Sequence, residues 1–373
     1  MALKAVCVGL SVILVEKDRP GAGASGGFLG ALMPHMPERW DAKKDFQFRA
    51  LVDLEAEVAR LEAETGISIG YARCGRLLPL SHPRQRGATE ARTDAARQSW
   101  RGEFSFDLRD VESSDWLDPA CAPEGVAFET LSARLSPPRL IAALVAALEK
   151  MSVAFVTGEV AAIDAAAGSL MLADATPIAF GHVVIASGVG AFPLIEQVLG
   201  RSNGSLGRAV KGQAALFDAR IEAKRARTLP LLYDDGVYII AHDTGEVAVG
   251  STSEMEFDDP FATDDRLDTV IARARALCPL LRDTPVVRRW AGLRPKAVGR
   301  DPMLGALDQA GRVQALAGGF KITFGIAHRM ADAVLGGIGA GPAIEVPPSF
   351  SVAAHLAFAD EGARRRDRAV DGD

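Results

Sequence analysis

Residues Val12–Gly27, VILVEKDRPGAGASGG, constrain this chain more than any other stretch. Val12–Val15 is an apolar run of strand length that ends on Glu16, and a loop of small residues follows it. That order matches the second half of a dinucleotide-binding βαβ unit, in which the carboxylate closing the second strand takes the ribose hydroxyls. The first half should be a strand, a G-x-G-x-x-G turn and a helix, together roughly 30 residues. Only Met1–Ser11, MALKAVCVGLS, precedes the run. Ala5–Val8 reads as a strand, yet only Gly9, Leu10 and Ser11 separate it from Val12. A parallel crossover needs about a dozen residues or more. The two runs are therefore expected to form one long strand, or the first is expected to fray.

Bulk properties narrow the classes. At 373 residues the chain is long enough for two domains, since single cores stop growing at about 250–300 residues. A net charge of −6 argues against a general nucleic-acid binder. Cys7, Cys74, Cys121 and Cys278 lie far apart with no C-x-x-C pair, which fits neither a zinc site nor a disulfide framework and points to a reducing cytoplasm. No apolar run reaches the ~18 residues of a membrane span. Lys4, the apolar Ala5–Val15 and Ala22-Gly23-Ala24 imitate an export signal, but Glu16, Lys17, Asp18 and Arg19 interrupt it before the cleavage-like site.

Patterning then alternates. Leu51, Leu54, Val58 and Leu61 mark a helix that Thr65-Gly66 ends. Ile67–Ala133 holds short apolar pieces, Arg76–Leu80 and Val126–Leu131 among them, and reads as strands and loops of a second domain. Ser136-Pro137-Pro138 opens a helix with Leu140, Ile141, Leu144 and Leu148 on its buried face. Strands at Val153–Val156, Val160–Ile163 and His182–Ala186 follow, the last entering the turn Ser187-Gly188-Val189-Gly190. Gly236–Ala241 and Glu246–Gly250 read as a hairpin around Asp243-Thr244-Gly245. Leu267, Val270, Ile271, Ala274 and Leu277 mark another helix, and a last one runs from about Ala327 to Gly336. The charged tail from Asp360 is expected to fray.

Six pieces carry a resemblance to a known family: VILVEKDRPGAGASGG (12–27), HVVIASGVGAF (182–192), AVKGQ (209–213), GVYII (236–240), GEVAVGSTSE (245–254) and RWAGLRPKAVGRDPMLG (289–305). In this order they resemble the D-amino-acid oxidase superfamily, and within it the glycine oxidase and sarcosine oxidase-like flavoenzymes. The resemblance implies an α/β fold with an α+β second domain, a Rossmann-like FAD-binding domain interleaved with an antiparallel-sheet substrate domain. The expected ranges are 1–75, 135–213 and 290–345 for the FAD-binding domain, 76–134 and 214–289 for the substrate domain, and 346–373 for a partly frayed extension.

The resemblance also implies a site. Glu16 and Lys17 close the ribose-binding strand, and Ala24, Ser25, Gly26 and Gly27 leave backbone N–H groups uncovered for the cofactor. Val160 stands where relatives hold adenine through the backbone, and Ser187 and Gly188 where the chain passes close to the cofactor. Gly318, Gly319, Phe320 and Lys321 stand in the loop facing the flavin's pyrimidine edge, although GGFKITFGIAH departs from the usual Gly-His-aromatic pattern. Arg294 in GLRP matches the carboxylate-binding arginine, whose guanidinium offers two parallel donors. Tyr238 matches a tyrosine closing over that carboxylate, and His35 aligns with a position near the flavin. No metal-ligand cluster competes with these.

The implied function is FAD-dependent oxidation of the C–N bond of a small amino acid or amine, with oxygen or another acceptor taking the electrons. The residues leave the oligomeric state open. Two alternatives stand beside this reading: a flavin-family scaffold that has lost FAD binding along with the phosphate turn, and a tRNA wobble-base-modifying oxidoreductase, disfavoured by the acidic balance.

Overall fold

The computed structural model describes residues 1–201 and 206–370. They group into two compact units. Unit 1 comprises Met1–Ala24, Leu144–Val210 and Leu293–Asp373, and unit 2 comprises Ser25–Ala143 and Lys211–Gly292. The partition puts residues 25–75 with unit 2, whereas the sequence pattern groups them with the segments of unit 1.

Unit 1 holds two short parallel pairings. Ile13–Glu16 runs parallel to Ala154–Thr157, with Ile13 opposite Ala154 and Glu16 opposite Thr157. Val183–Ile185 runs parallel to Val313–Ala317, and Met303–Ala306 pairs antiparallel on the latter's other side. Ile185, Phe192, Ile195, Val313, Ala315 and Val352 build the core around this second sheet. Ser169–Leu172 and Pro177–Ala179 add a small antiparallel sheet with Val160–Asp164.

The first residues form a helix, Ala2–Cys7, not the expected strand. Ala2, Leu3 and Ala5 are helix formers, and Gly9 at φ +85° ends the turn by returning its N–H to the Val6 carbonyl at 3.0 Å. Lys4 ties this helix to Asp332 of the Thr323–Gly337 helix at 3.1 Å. The β-branched pair Val6 and Val8 imitates a strand, but the segment has no strand partner and packs as a helix. The tail differs too. Val352–Val370 is one helix past Asp360, which Arg201 holds at 2.7 Å; residues 371–373 lie outside the described residues.

Unit 2 is built on an eight-stranded mixed sheet. Its strand order is Val286–Ala297, Gly207–Phe217, Val247–Gly250, Val237–Ala241, Leu231–Asp234, Arg76–Pro79, Val126–Glu129, Phe106–Arg109. Alternation divides its side chains cleanly. Ala215, Phe217, Leu232, Val237, Ile239, Val247 and Val249 pack on one face with Leu267, Ile271 and Ala274 of the Asp265–Leu277 helix. Ala214, Leu216, Leu231, Ile240 and Ala248 face the other way, onto Phe28, Met33 and Trp290. The helix Ala42–Thr65 follows the expected spacing, capped by Asp41 accepting the Lys44 N–H at 2.8 Å.

A further difference lies in 67–133, expected to hold only strands and loops. Pro83–Ser99 is a helix that buries only Thr89 and Ala96. It has almost no apolar stripe, so periodicity is silent, and its marks are Pro83 in the first turn and a capping box between His82 and Gln85.

Candidate functional site

In open parallel sheets ligands gather at the carboxyl ends of the strands, and the expected cofactor residues of unit 1 stand there. Glu16 is the last residue of its strand, half-buried, and its Oε1 accepts the Asp18 N–H at 3.2 Å. No cation pairs with this carboxylate among the described residues. Lys17 instead reaches Glu159 at 3.9 Å, with both side chains about two-thirds exposed, a pairing worth little. Val160 opens its strand at a register shift between Val160 and Ala162.

At the end of Val183–Ile185 the chain turns through Ser187–Gly190, where the Gly190 N–H bonds the Ser187 carbonyl at 3.1 Å. Gly188 has φ +62°, and a Cβ built on it meets no atom within 4 Å. A backbone bend with open space beside it suits close approach of a large planar cofactor.

The neighbouring strand, Val313–Ala317, leads into Gly318–Lys321 and then the Thr323–Gly337 helix, whose N-terminal end carries the positive pole of its dipole. An antiparallel bridge joins Gly319 to Lys296. Lys296 lies two residues beyond Arg294 in one strand, so both side chains leave the same side of it. The ammonium groups of Lys296 and Lys321 lie 5.8 and 5.7 Å from the centre of the Phe320 ring. Burial lowers the affinity of Lys321 for its proton, and the charges of Arg294 and Lys296 lower it further. Burial does the same for Lys296, with Arg300 and Arg208 adding to it. The Lys321 side chain is exposed, so water screens much of both effects. The result is a concentration of positive charge around the loop expected to face the flavin.

In unit 2 the small-residue loop is clamped. Ala24–Gly26 make one 3-10 turn, and a Cβ on Gly27 would sit 3.1 Å from the Trp290 indole. The Trp290 ring packs where a side chain on Gly27 would stand. Phe28 packs on Trp290 at 6.4 Å between ring centres, and the Arg288 guanidinium lies 4.9 Å from the Phe28 ring. The Phe28 carbonyl lies 2.9 Å from Nε2 of His242. Burial, then the Arg134 charge, push the His242 pKa down to about 4. At neutral pH its ring is therefore an uncharged donor to that carbonyl.

His35 is fastened to the Ala42–Thr65 helix. The Gln47 Oε1 accepts its N–H at 2.7 Å and also meets its Nδ1, while Gln47 Nε2 donates to the Met33 carbonyl at 3.1 Å. Tyr238 stands opposite Tyr233 in register, with the rings edge to face at 4.8 Å. By alternation it shares the sheet face of Ile240 with Phe28 and Trp290.

Glu16, Val160, Ser187, Gly188, Arg294 and Gly318–Lys321 thus belong to unit 1, and Ser25–Gly27, His35 and Tyr238 to unit 2. An open carboxylate at a strand end, an open backbone bend at Gly188 and a cationic loop suit the ribose, the chain's close approach and the electron-rich ring edge of FAD. Sequence reasoning missed Lys296, Trp290 and His242. Lys296 was legible as the alternate position after Arg294, whereas Trp290 and His242 act through contacts distant in sequence.

Comparison with known proteins agrees. The family model DAO, FAD dependent oxidoreductase, matches residues 1–333. Glycine oxidase from Bacillus subtilis is 33% identical over 143 residues, which cover 38% of this chain and 36% of that protein. The bifunctional protein ThiO/ThiG of Trichormus variabilis is 24% identical over 80% of this chain and 44% of its own. The matched stretches thus span less than half the length of these relatives. Among solved structures, glycine oxidase from Geobacillus kaustophilus superposes with a TM-score of 0.81 at 22% identity over 94% of both chains. Iminodiacetate oxidase from Chelativorans sp. BNC1 gives 0.81 at 18% identity over 94% of this chain and 95% of that one. The fold is the two-domain arrangement of these enzymes, and the chain belongs to the DAO family of FAD-dependent oxidoreductases.

Proposed function

We propose that this protein oxidises the C–N bond of a small amino acid, holding the substrate carboxylate on Arg294. The observation that carries this reading is the positive charge of Arg294, Lys296 and Lys321 gathered at the Gly318–Lys321 loop. Glycine oxidases among the relatives and an iminodiacetate oxidase among the similar folds support the substrate class.

FAD, when bound, supplies the hydride acceptor and passes the electrons to oxygen or another acceptor. The protein's part is position and electrostatics. Glu16 would hold the ribose hydroxyls, and the backbone at Ser187–Gly188 would lie along the cofactor. Lys321 and the positive end of the Thr323–Gly337 helix would offset the negative charge that the reduced ring gains. Arg294 would fix the carboxylate. With the amine neutral, its lone pair forms the C=N bond as the α-hydrogen leaves with its electron pair. Water then adds to the imine carbon and the amine departs, so no strong protein base is needed. Free thiols at all four cysteines accord with a reducing compartment such as the cytoplasm, and no helix among the described residues is long and apolar enough to cross a membrane.

The test is anaerobic mixing of the flavin-loaded protein with glycine, sarcosine and D-alanine while the flavin absorbance is followed. Bleaching by at least one of them, lost in Arg294→Ala, is the expected result. No bleaching by any small amino acid would refute the reading.

A further inference from the structure

We propose that Lys296, with Lys321 adding to the positive field around it, forms a second anion-binding point beside Arg294, and that the preferred substrate is an amino acid bearing two carboxylates. This rests on the reading above, that Arg294 holds the first.

Arg294 alone suffices for one carboxylate, because its planar fork matches two oxygens. The chain places more charge there than that task needs. Lys296 repeats on the same side of the strand two residues on, a spacing of roughly 7 Å. The Lys296–Gly319 bridge brings the Gly318–Lys321 loop against it, so that both ammonium groups flank the Phe320 ring. Neither lysine takes part in an ion pair among the described residues. The contrast with Lys211 of unit 2 is direct: that buried ammonium has Glu254 at 3.7 Å and Asp264 at 3.8 Å.

Burial first, and then neighbouring positive charge, loosens the hold of both lysines on their protons: Arg294 and Lys296 act on Lys321, and Arg300 and Arg208 act on Lys296. A positive field of this kind draws an anion toward it. The reduced cofactor ring accounts for one such charge, opposite Lys321. Lys296, aligned with Arg294, is left for a second substrate carboxylate. The Phe320 ring, its centre 5.8 and 5.7 Å from the two ammonium groups, gives the connecting methylenes of a short dicarboxylate an apolar surface.

Two matched pairs of ligands test this. Malonate and acetate differ by one carboxylate and contain no C–N bond, so calorimetry on the flavin-loaded protein reads binding alone. Iminodiacetate and sarcosine likewise differ by one carboxylate, and stopped-flow flavin reduction reads turnover. We expect malonate to bind at least about tenfold tighter than acetate, ~1.4 kcal/mol, and iminodiacetate to reduce the flavin with a kcat/KM at least about tenfold above sarcosine. In Lys296→Gln both ratios should collapse toward one, and Lys296→Arg should restore them. Equal affinity for malonate and acetate, or ratios that survive Lys296→Gln, would overturn the inference. Retention of the malonate preference with no flavin reduction by any amine would sink the oxidation reading while leaving the second anion point standing.

Discussion

Gly188→Ala is the substitution whose outcome separates a cofactor cradle from an ordinary turn. The backbone there has φ +62°, where a Cβ costs about 1–2 kcal/mol. No atom lies within 4 Å of that Cβ, so no steric term adds to it. Gly207→Ala is the control. Its Cβ would lie 2.3–2.6 Å from the buried ring of Phe192, an overpacking expected to cost roughly 1–3 kcal/mol. The two variants should therefore lose similar stability in urea unfolding of the cofactor-free protein. They should part in cofactor binding. If the backbone at Gly188 lies against FAD, the added methyl intrudes on the cofactor at a similar cost of roughly 1–3 kcal/mol, which weakens binding about 5- to 150-fold. Gly207→Ala should leave the affinity near that of the parent. The assay is FAD titration followed by quenching of flavin fluorescence. An unchanged FAD affinity in Gly188→Ala, with the expected stability loss present, would refute the cradle.

Other expectations follow from buried groups. Arg76 Nε and Glu129 Oε1 lie 3.0 Å apart in a pair almost wholly removed from water, and Glu129 also accepts the Leu131 and Ser132 N–H groups at 2.8 and 2.9 Å. Glu129→Gln should cost about 3–5 kcal/mol in urea unfolding, and adding Arg76→Met should recover a large part of it; a double variant as weak as the sum would contradict the pairing. Burial pushes the Cys74 thiol up to about 11 and the Cys278 thiol up to about 12, so at pH 8 a thiol reagent should label exposed Cys7 quickly and those two only after denaturation. His242 binds its proton near pH 4 when folded and near 6.5 when unfolded. Between those values the unfolded chain holds more protons, so stability falls as the pH drops, by up to ~1.4 kcal/mol per pH unit from this group. His242→Gln should flatten the pH dependence of the urea midpoint by up to that much between pH 6.5 and 4.5.

What was legible in the sequence follows from the reach of local signals. The Ala42–Thr65 and Asp265–Leu277 helices bury one stripe each, so Leu51, Leu54, Val58, Leu61 and Leu267, Ile271, Ala274 announced them. The hairpin at Val237–Gly250 was readable because alternation and an Asp-Thr-Gly turn coincide. Pro83–Ser99 escaped because a helix of Arg, Ala, Thr and Gln buries almost nothing, and Ala2–Cys7 because Val6 and Val8 favour a strand until a neighbouring helix decides otherwise. Of the candidate site, strand-end residues such as Glu16 and Gly188 were readable from glycine and charge punctuation. The clamp of Trp290 and His242 on Gly27–Phe28 was not, since it joins segments more than 200 residues apart.

The central claim is that this chain carries FAD and works through it, and the visible absorption spectrum of the purified protein tests it most directly, with released flavin counted after denaturation. The account predicts oxidised-flavin bands at close to one FAD per chain, or their appearance when FAD is added to the cofactor-free protein. A colourless protein that takes up no added FAD would contradict it.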